Sequence, residues 1–263
     1  MTFETIVFAI DDGVALLSLN RPEQLNSFNA QMHGEVREAL KRVRQDASVR
    51  VLLLTGEGRG FCAGQDLNDR AVSPGGQAAD LGESIEKHYK PLVLALRALP
   101  LPVIAAVNGV AAGAGANIAL ACDLVVAARS ASFVQAFARL GLVPDSGGTW
   151  FLPRTVGSAR ALGLALLGEK LPAEQAAAWG LIWRCVEDSE LAGVVDGLAQ
   201  GFANAPTRAL ARTKQAIYES WGRTLAEQLD IERDYQAELG RSADYAEGVA
   251  AFGEKRTPRF VGR

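Results

Sequence analysis

The chain has 263 residues, 49% of them hydrophobic and 22% charged. That balance suits one large globular unit, or one with an appendage, and excludes a disordered chain. Its 27 basic and 30 acidic residues leave a net charge of −3, so there is no cationic excess for nucleic acid or an anionic membrane surface.

Residues 5–19 read as two extended runs split by Asp11-Asp12-Gly13, a hairpin signal. Arg21-Pro22 ends the second run, because proline cannot donate to a ladder. Asn29 is placed to cap a helix over 30–46, where Met32, Val36, Leu40 and Val43 recur at helical spacing. Val51–Leu54 reads as a strand buried on both faces. Residues 70–82 read as a polar, mobile loop. A helix with Ile85, Tyr89, Leu92, Leu96 and Leu99 on one stripe follows, and Pro91 either kinks it or marks a restart. Val103–Val107 and Leu124–Ala127 are two more buried strands. Between them lie the small-residue turn 108–115 and an Ala-rich helix to about Cys122. Strand, glycine-rich turn and helix thus recur, which predicts an α/β layering with parallel strands. Beyond about 158 the patterns are helical, at 158–168, 172–179, 189–203, 206–220, 224–239 and 242–254, with Ile182-Trp183 as a last strand. We expect an α/β core over 1–200 and a helical region over 201–263.

Cys62, Cys122 and Cys185 are widely spaced, with no Cys-x-x-Cys pair, and His33 and His88 are isolated. Neither a metal site nor a disulfide framework is expected, and the cysteines read as small buried apolar residues. The start lacks a basic region followed by an apolar run, and no apolar stretch reaches the ~18 residues of a membrane span. A cytoplasmic protein is expected.

Three glycine motifs fail. There is no Gly-x4-Gly-Lys-Ser/Thr loop and no Gly-x-Ser-x-Gly elbow. Gly113-Ala-Gly115 has Ile118 where a dinucleotide fingerprint needs glycine, and Gly56-Glu-Gly58 has Phe61. Two loops remain, each following a buried strand. Small residues let their amides approach a ligand, and the second opens a helix at its positive end. Together they fit an oxyanion hole for a developing enolate. They fit tight packing of strand on helix equally well.

Phe61-Cys-Ala-Gly-Gln-Asp66-Leu67, Pro102–Gly109, Ala112-Gly-Ala-Gly115, Cys122-Asp123 and Gly141–Thr149 together resemble the crotonase (enoyl-CoA hydratase/isomerase) superfamily. Leu167-Gly168, Gly180-Leu181, the opening Leu19–Glu23 with Asn26-Ser27, and the ending Ala251-Phe252 with Lys255-Arg256 continue the match in order across the chain. The resemblance implies a spiral of ββα turns with a C-terminal helical trimerisation region, giving a homotrimer or a dimer of trimers. It implies an acyl-CoA substrate and no separate cofactor, coenzyme A being part of the substrate. The oxyanion amides by match are those of Gln65 and Ala114. Ala63, Asp66, Leu67, Gly113, Asn117 and Phe137 would line the substrate or coenzyme A, with Asp66 also holding the first loop. Phe252 and Lys255 would cover coenzyme A, often from a neighbouring subunit.

The hydratase branch needs two glutamates. This chain has Asn117 and Phe137 at those places, and neither side chain can act as the base. Asp145 is the acid left in the expected wall. On residue chemistry alone it reads first as a helix N-cap. The resemblance makes it the single acid/base of an isomerase, shifting a proton from the carbon alpha to the thioester. Phe137, Leu142 and Val143 are expected to exclude water there and to raise its pKa by desolvation. Gly58–Arg70, Gly148–Arg154, Glu232–Gln236 and Gly240–Tyr245 further resemble the isomerase branch that acts on a ring-epoxidised aromatic acyl-CoA. A linear 3-enoyl-CoA isomerase is the alternative. A hydratase and a non-catalytic acyl-CoA-binding trimer rank below both.

Overall fold

The computed structural model describes residues 3–67 and 80–262. Most of the loop expected at 70–82 lies outside the described residues.

β1 (Ile6–Asp11) and β2 (Val14–Leu19) form the predicted antiparallel hairpin. Asp12 and Gly13 turn it with φ of 43° and 81°, the paired left-handed geometry that lets two residues connect twisted strands. Asn29 caps α1 (Ala30–Gln45), its side chain accepting from the Met32 N–H at 2.8 Å. The helix buries Met32, Val36, Leu40 and Val43, as their spacing predicts.

β3 (Val51–Gly56) then passes into β4 (Gly60–Cys62). Across the gap come α2 (Leu81–Ser84), a π-turn over Ile85–Tyr89, and α3 (Lys90–Ala98). Pro91 directly follows the π-turn inside a helical run unbroken from Leu81 to Ala98, so it marks an irregularity in one helix and not a restart. β5 (Val103–Val107) passes into β6 (Val110–Ala112) and α4 (Ala114–Ala121). β7 (Leu124–Ala128) passes into β8 (Ser132–Val134) and, after a 3-10 turn over Ala136–Leu140, into α5 (Gly148–Leu167). Each turn of this ββα spiral adds one strand to each of two sheets. The larger runs β1-β2-β3-β5-β7-β10 and is parallel beyond the hairpin. The smaller runs β4-β6-β8-β9, its last pair antiparallel.

β9 (Lys170–Pro172), α6 (Ala173–Ala178), β10 (Arg184–Val186), α7 (Leu191–Ala203), α8 (Thr207–Glu219), α9 (Leu225–Leu239) and α10 (Ala243–Glu254) complete the chain. Two expectations are corrected here. The last strand is Arg184–Val186, because Ile182 is buried in the core and Trp183 only hands its N–H to the Val125 carbonyl. α5 begins ten residues earlier than its apolar pattern suggests and breaks at Gly157, whose φ of 76° no helix allows.

All eight residues of α4 are buried. A helix apolar on every side belongs at the centre of the core, and α4 lies beneath the candidate site. Cys62 and Cys122 are buried, and burial pushes the Cys62 thiol up to about 12. No described helix is long and apolar enough to cross a membrane.

Candidate active site

Two glycine-lined loops meet above α4. A Cβ on Gly64 would lie 2.9 Å from the Ala112 carbonyl oxygen and 3.3 Å from the Ala114 nitrogen. A Cβ on Gly115 would lie 2.3 Å from the Cys62 carbonyl oxygen. Only glycine permits that approach, and Gly64 and Gly113 also hold positive φ of 92° and 53°.

The approach brings two backbone amides together. Gln65 forms an isolated parallel bridge with Phe28, whose N–H goes to Gly64 and whose carbonyl takes the Asp66 N–H. In that pattern the Gln65 N–H points away from Phe28. The Ala114 N–H opens α4, where a helix has no internal acceptor for it. The first loop is held from three sides. Ala63 donates its N–H to Leu25, Asp66 pairs with Arg21 at 2.9 Å, and the buried Tyr89 donates its hydroxyl to Gln65 Oε1 at 2.9 Å. Tyr89 ends the π-turn, so that irregularity aims a side chain at the loop. Sequence periodicity missed this, because Tyr89 fits a simple helical stripe. Leu67 is exposed at the loop's far end.

The opposite wall comes from the chain between β8 and α5. Phe137 is buried, and its ring lies 3.7 Å from where a Gly113 Cβ would stand. Asp145 is half-buried. Its carboxylate accepts the Ser146 hydroxyl at 2.9 Å. The cap expected of it is not formed: Gly147 holds the cap position of α5 with no side-chain bond, and it is the Asp145 carbonyl that takes the Gly148 N–H. Asn117 is fully buried. Its Nδ2 donates to that same Asp145 carbonyl at 2.8 Å, and its Oδ1 accepts from Gln135 at 2.8 Å. Its amide therefore faces the protein rather than the cleft.

Other residues stand elsewhere. Leu142 and Val143, expected to shield Asp145, are exposed in the single chain, Val143 at 78%. Phe252 is 88% exposed and lines a separate cleft of about 500 Å³ between α8 and α10. Lys255 ends α10 in a left-handed turn, three residues on. His33 is buried and stacks on His88 with centroids 4.8 Å apart. His88 is held below its usual pKa by burial, then by Arg37 and Lys87. Trp150 and Trp183 are partly exposed.

The ββα spiral is that of the crotonases, and the chain belongs to the enoyl-CoA hydratase/isomerase family, matching it over residues 9–263. The 1,2-epoxyphenylacetyl-CoA isomerase of Escherichia coli (strain K12) is 60% identical over 260 residues, 99% of each chain. A probable enoyl-CoA hydratase of Rhodobacter capsulatus is 49% identical over the full length of both. Among solved structures, a putative enoyl-CoA hydratase/isomerase from Mycobacterium abscessus superposes with a TM-score of 0.94 at 34% identity, covering 98% of this chain and all of the other.

Proposed function

We propose that this chain is an isomerase of acyl-CoA thioesters that converts ring-1,2-epoxyphenylacetyl-CoA to its seven-membered oxepin form. The observation that carries the reading is that, among the described residues of the wall between β8 and α5, Asp145 supplies the carboxylate, while Asn117 and Phe137 stand where hydration needs its two acids. The 60% identity to the Escherichia coli isomerase supports the particular substrate.

The chemistry follows from one base facing two amides. The 1,2 ring bond of the epoxide opens to the oxepin. Asp145 takes the proton alpha to the thioester, and the electron pair moves onto the thioester oxygen. The N–H groups of Gln65 and Ala114 hold that oxygen, Ala114 with the positive end of α4 behind it. Protonated Asp145 then returns the proton to a conjugated carbon and is ionised again, so no other reactant is used. The Phe137 ring covers the Gly113 turn and helps keep water from the enolate. The same parts serve a linear 3-enoyl-CoA, whose double bond moves into conjugation by the same shift.

The active form is a homotrimer or a dimer of trimers. Ile217, Trp221, Leu225 and Leu229 leave an exposed apolar face on α8, α9 and the turn between them, which supports that reading. Phe252 and Lys255 cover coenzyme A bound by a neighbouring copy, and Ala63, Asp66 and Leu67 line the coenzyme A side of the first loop.

The test compares wild type with Asp145→Asn on epoxyphenylacetyl-CoA made in situ and on a linear 3-enoyl-CoA, following products by chromatography and mass. Wild type is expected to prefer the epoxide, and the variant to lose about 10²–10⁴-fold in kcat on both. Full activity in Asp145→Asn would refute the mechanism. Turnover of the linear substrate alone would keep the mechanism and refute the substrate.

A further inference from the structure

We infer that Asn117 is a positioning residue, one that fixes where the Asp145 carboxylate stands relative to the oxyanion amides. This rests on the proposed role of Asp145 as acid/base.

Catalysis by one base and one oxyanion hole depends on the separation of the two. An error of about 1 Å between reacting groups costs about 10²-fold in rate. The two parts lie on different turns of the spiral: Ala114 opens α4, and Asp145 lies in the segment entering α5. That segment is not set by its own conformational preference. Ser146 has φ of 50° and Gly147 φ of 85°, so two successive left-handed residues follow Asp145. A non-glycine residue in that region is strained and persists only where its surroundings hold it.

Asn117 is what holds it from the side of the oxyanion hole. It lies three residues after Ala114 on the same fully buried helix. Its Nδ2 donates to the Asp145 carbonyl at 2.8 Å, and Gln135 fixes the other end of the amide, donating to Oδ1 at 2.8 Å. Both side chains are at least 97% buried, so solvent does not compete for these bonds. The side chain also sets how closely α5 approaches, since a Cβ on Gly148 would lie 2.5 Å from Nδ2. One rigid element, α4, therefore carries both the amide that faces the thioester oxygen and the amide that anchors the base.

The same geometry gives the position its chemical specificity. A carboxylate at 117 would turn acceptor against acceptor at the Asp145 carbonyl and would be an unpaired charge in a dry site. The acid that hydration places here is therefore incompatible with this anchoring of Asp145.

The experiment measures kcat and KM for Asn117→Asp and Asn117→Leu on a linear 3-enoyl-CoA between pH 6 and 9, with thermal melting and Asp145→Asn alongside. Both changes keep the branched shape and the number of side-chain heavy atoms, the two methyls of Leu being the bulkier, and the melting curves report any packing cost. We expect kcat at pH 8 to fall at least about tenfold in each with KM within about twofold, the pattern of misplaced chemistry rather than lost binding. We further expect the ratio of Asn117→Asp to wild-type kcat to climb as pH falls, because a protonated Asp can donate to the Asp145 carbonyl again. Asn117→Leu has no such rescue. Should Asn117→Leu fail to fold, the pH dependence of Asn117→Asp decides alone. Wild-type kcat at every pH in the folded variants would overturn the inference. So would losses confined to KM, or losses in Asn117→Asp that do not depend on pH. An active Asp145→Asn would instead overturn the reading on which it rests.

Discussion

In the proposed mechanism Asp145 and Asn117 divide one task between a charge and a dipole. The carboxylate of Asp145 is directed by the Ser146 hydroxyl, while its own carbonyl is held by Asn117 and by the Gly148 N–H. The glycines across the site matter as much, because they set a backbone separation. Gly64→Ala would drive a methyl to 2.9 Å from the Ala112 carbonyl, at a φ that side chains rarely adopt. The loop must move, and the Gln65 amide moves with it. We expect kcat to fall by about 10²-fold, comparable to loss of one oxyanion donor, with an unfolding transition still cooperative by circular dichroism. A variant with wild-type kcat would show that the first loop does not carry the hole.

At the scale of elements, the helix ends explain why loops can carry the site. α9 is closed by a full capping box between Thr224 and Glu227, and α10 by Ser242. The tail after α10 has no regular structure. It is tied down by Asp244, which accepts the Val261 and Gly262 N–H groups at 2.7 and 2.8 Å. Glu247 takes Arg256 and the Arg259 N–H, and these bonds hold its carboxyl well down, at about 2 against an ordinary 4.5. A carboxyl depressed in the folded state stabilises above its unfolded pKa, and that contribution is lost as pH falls through the folded value. The tail contacts should thus weaken between about pH 4.5 and 2. Comparing melting of wild type and Glu247→Gln across that range checks this: their difference should shrink as pH falls. A constant difference would exclude Glu247 as the acid-sensitive anchor.

At the scale of the molecule, the helical region is joined to the spiral by a buried charge. Lys214 of α8 reaches Asp123, at the head of β7, at 2.9 Å, and also the Leu101 carbonyl at 3.2 Å. Tyr218 donates to the same carboxylate, and Asp123 accepts the Val103 N–H at 2.7 Å. Burial lowers the Lys214 pKa, with Asp123 opposing it, and burial raises that of Tyr218. Removing one partner of such a pair leaves a buried charge poorly compensated. Lys214→Met should cost about 3 kcal/mol in urea unfolding, and a change below about 1 kcal/mol would place the junction's stability in apolar packing instead. The proposed assembly belongs to the same scale. Sedimentation of the wild type is expected to give three or six copies, and a monomer would refute it.

Much of this was legible in the residues. The hairpin, the three buried strands of the larger sheet, the cap of α1 and the helices from α6 onward follow from period, turn chemistry and capping, which act within a few residues. The motif order identified the family, which the match over residues 9–263 bears out. The smaller sheet was not legible, because its strands are three residues long and carry no alternation to read. The burial of His33 was hidden too, since an imidazole on an amphipathic helix fits either face. Above all, sequence spacing could not show that Asn117 faces Asp145 or that Gly64 lies against Ala114. Those contacts join separate turns of the spiral. Long-range packing makes them, and local pattern carries no record of the distances it sets.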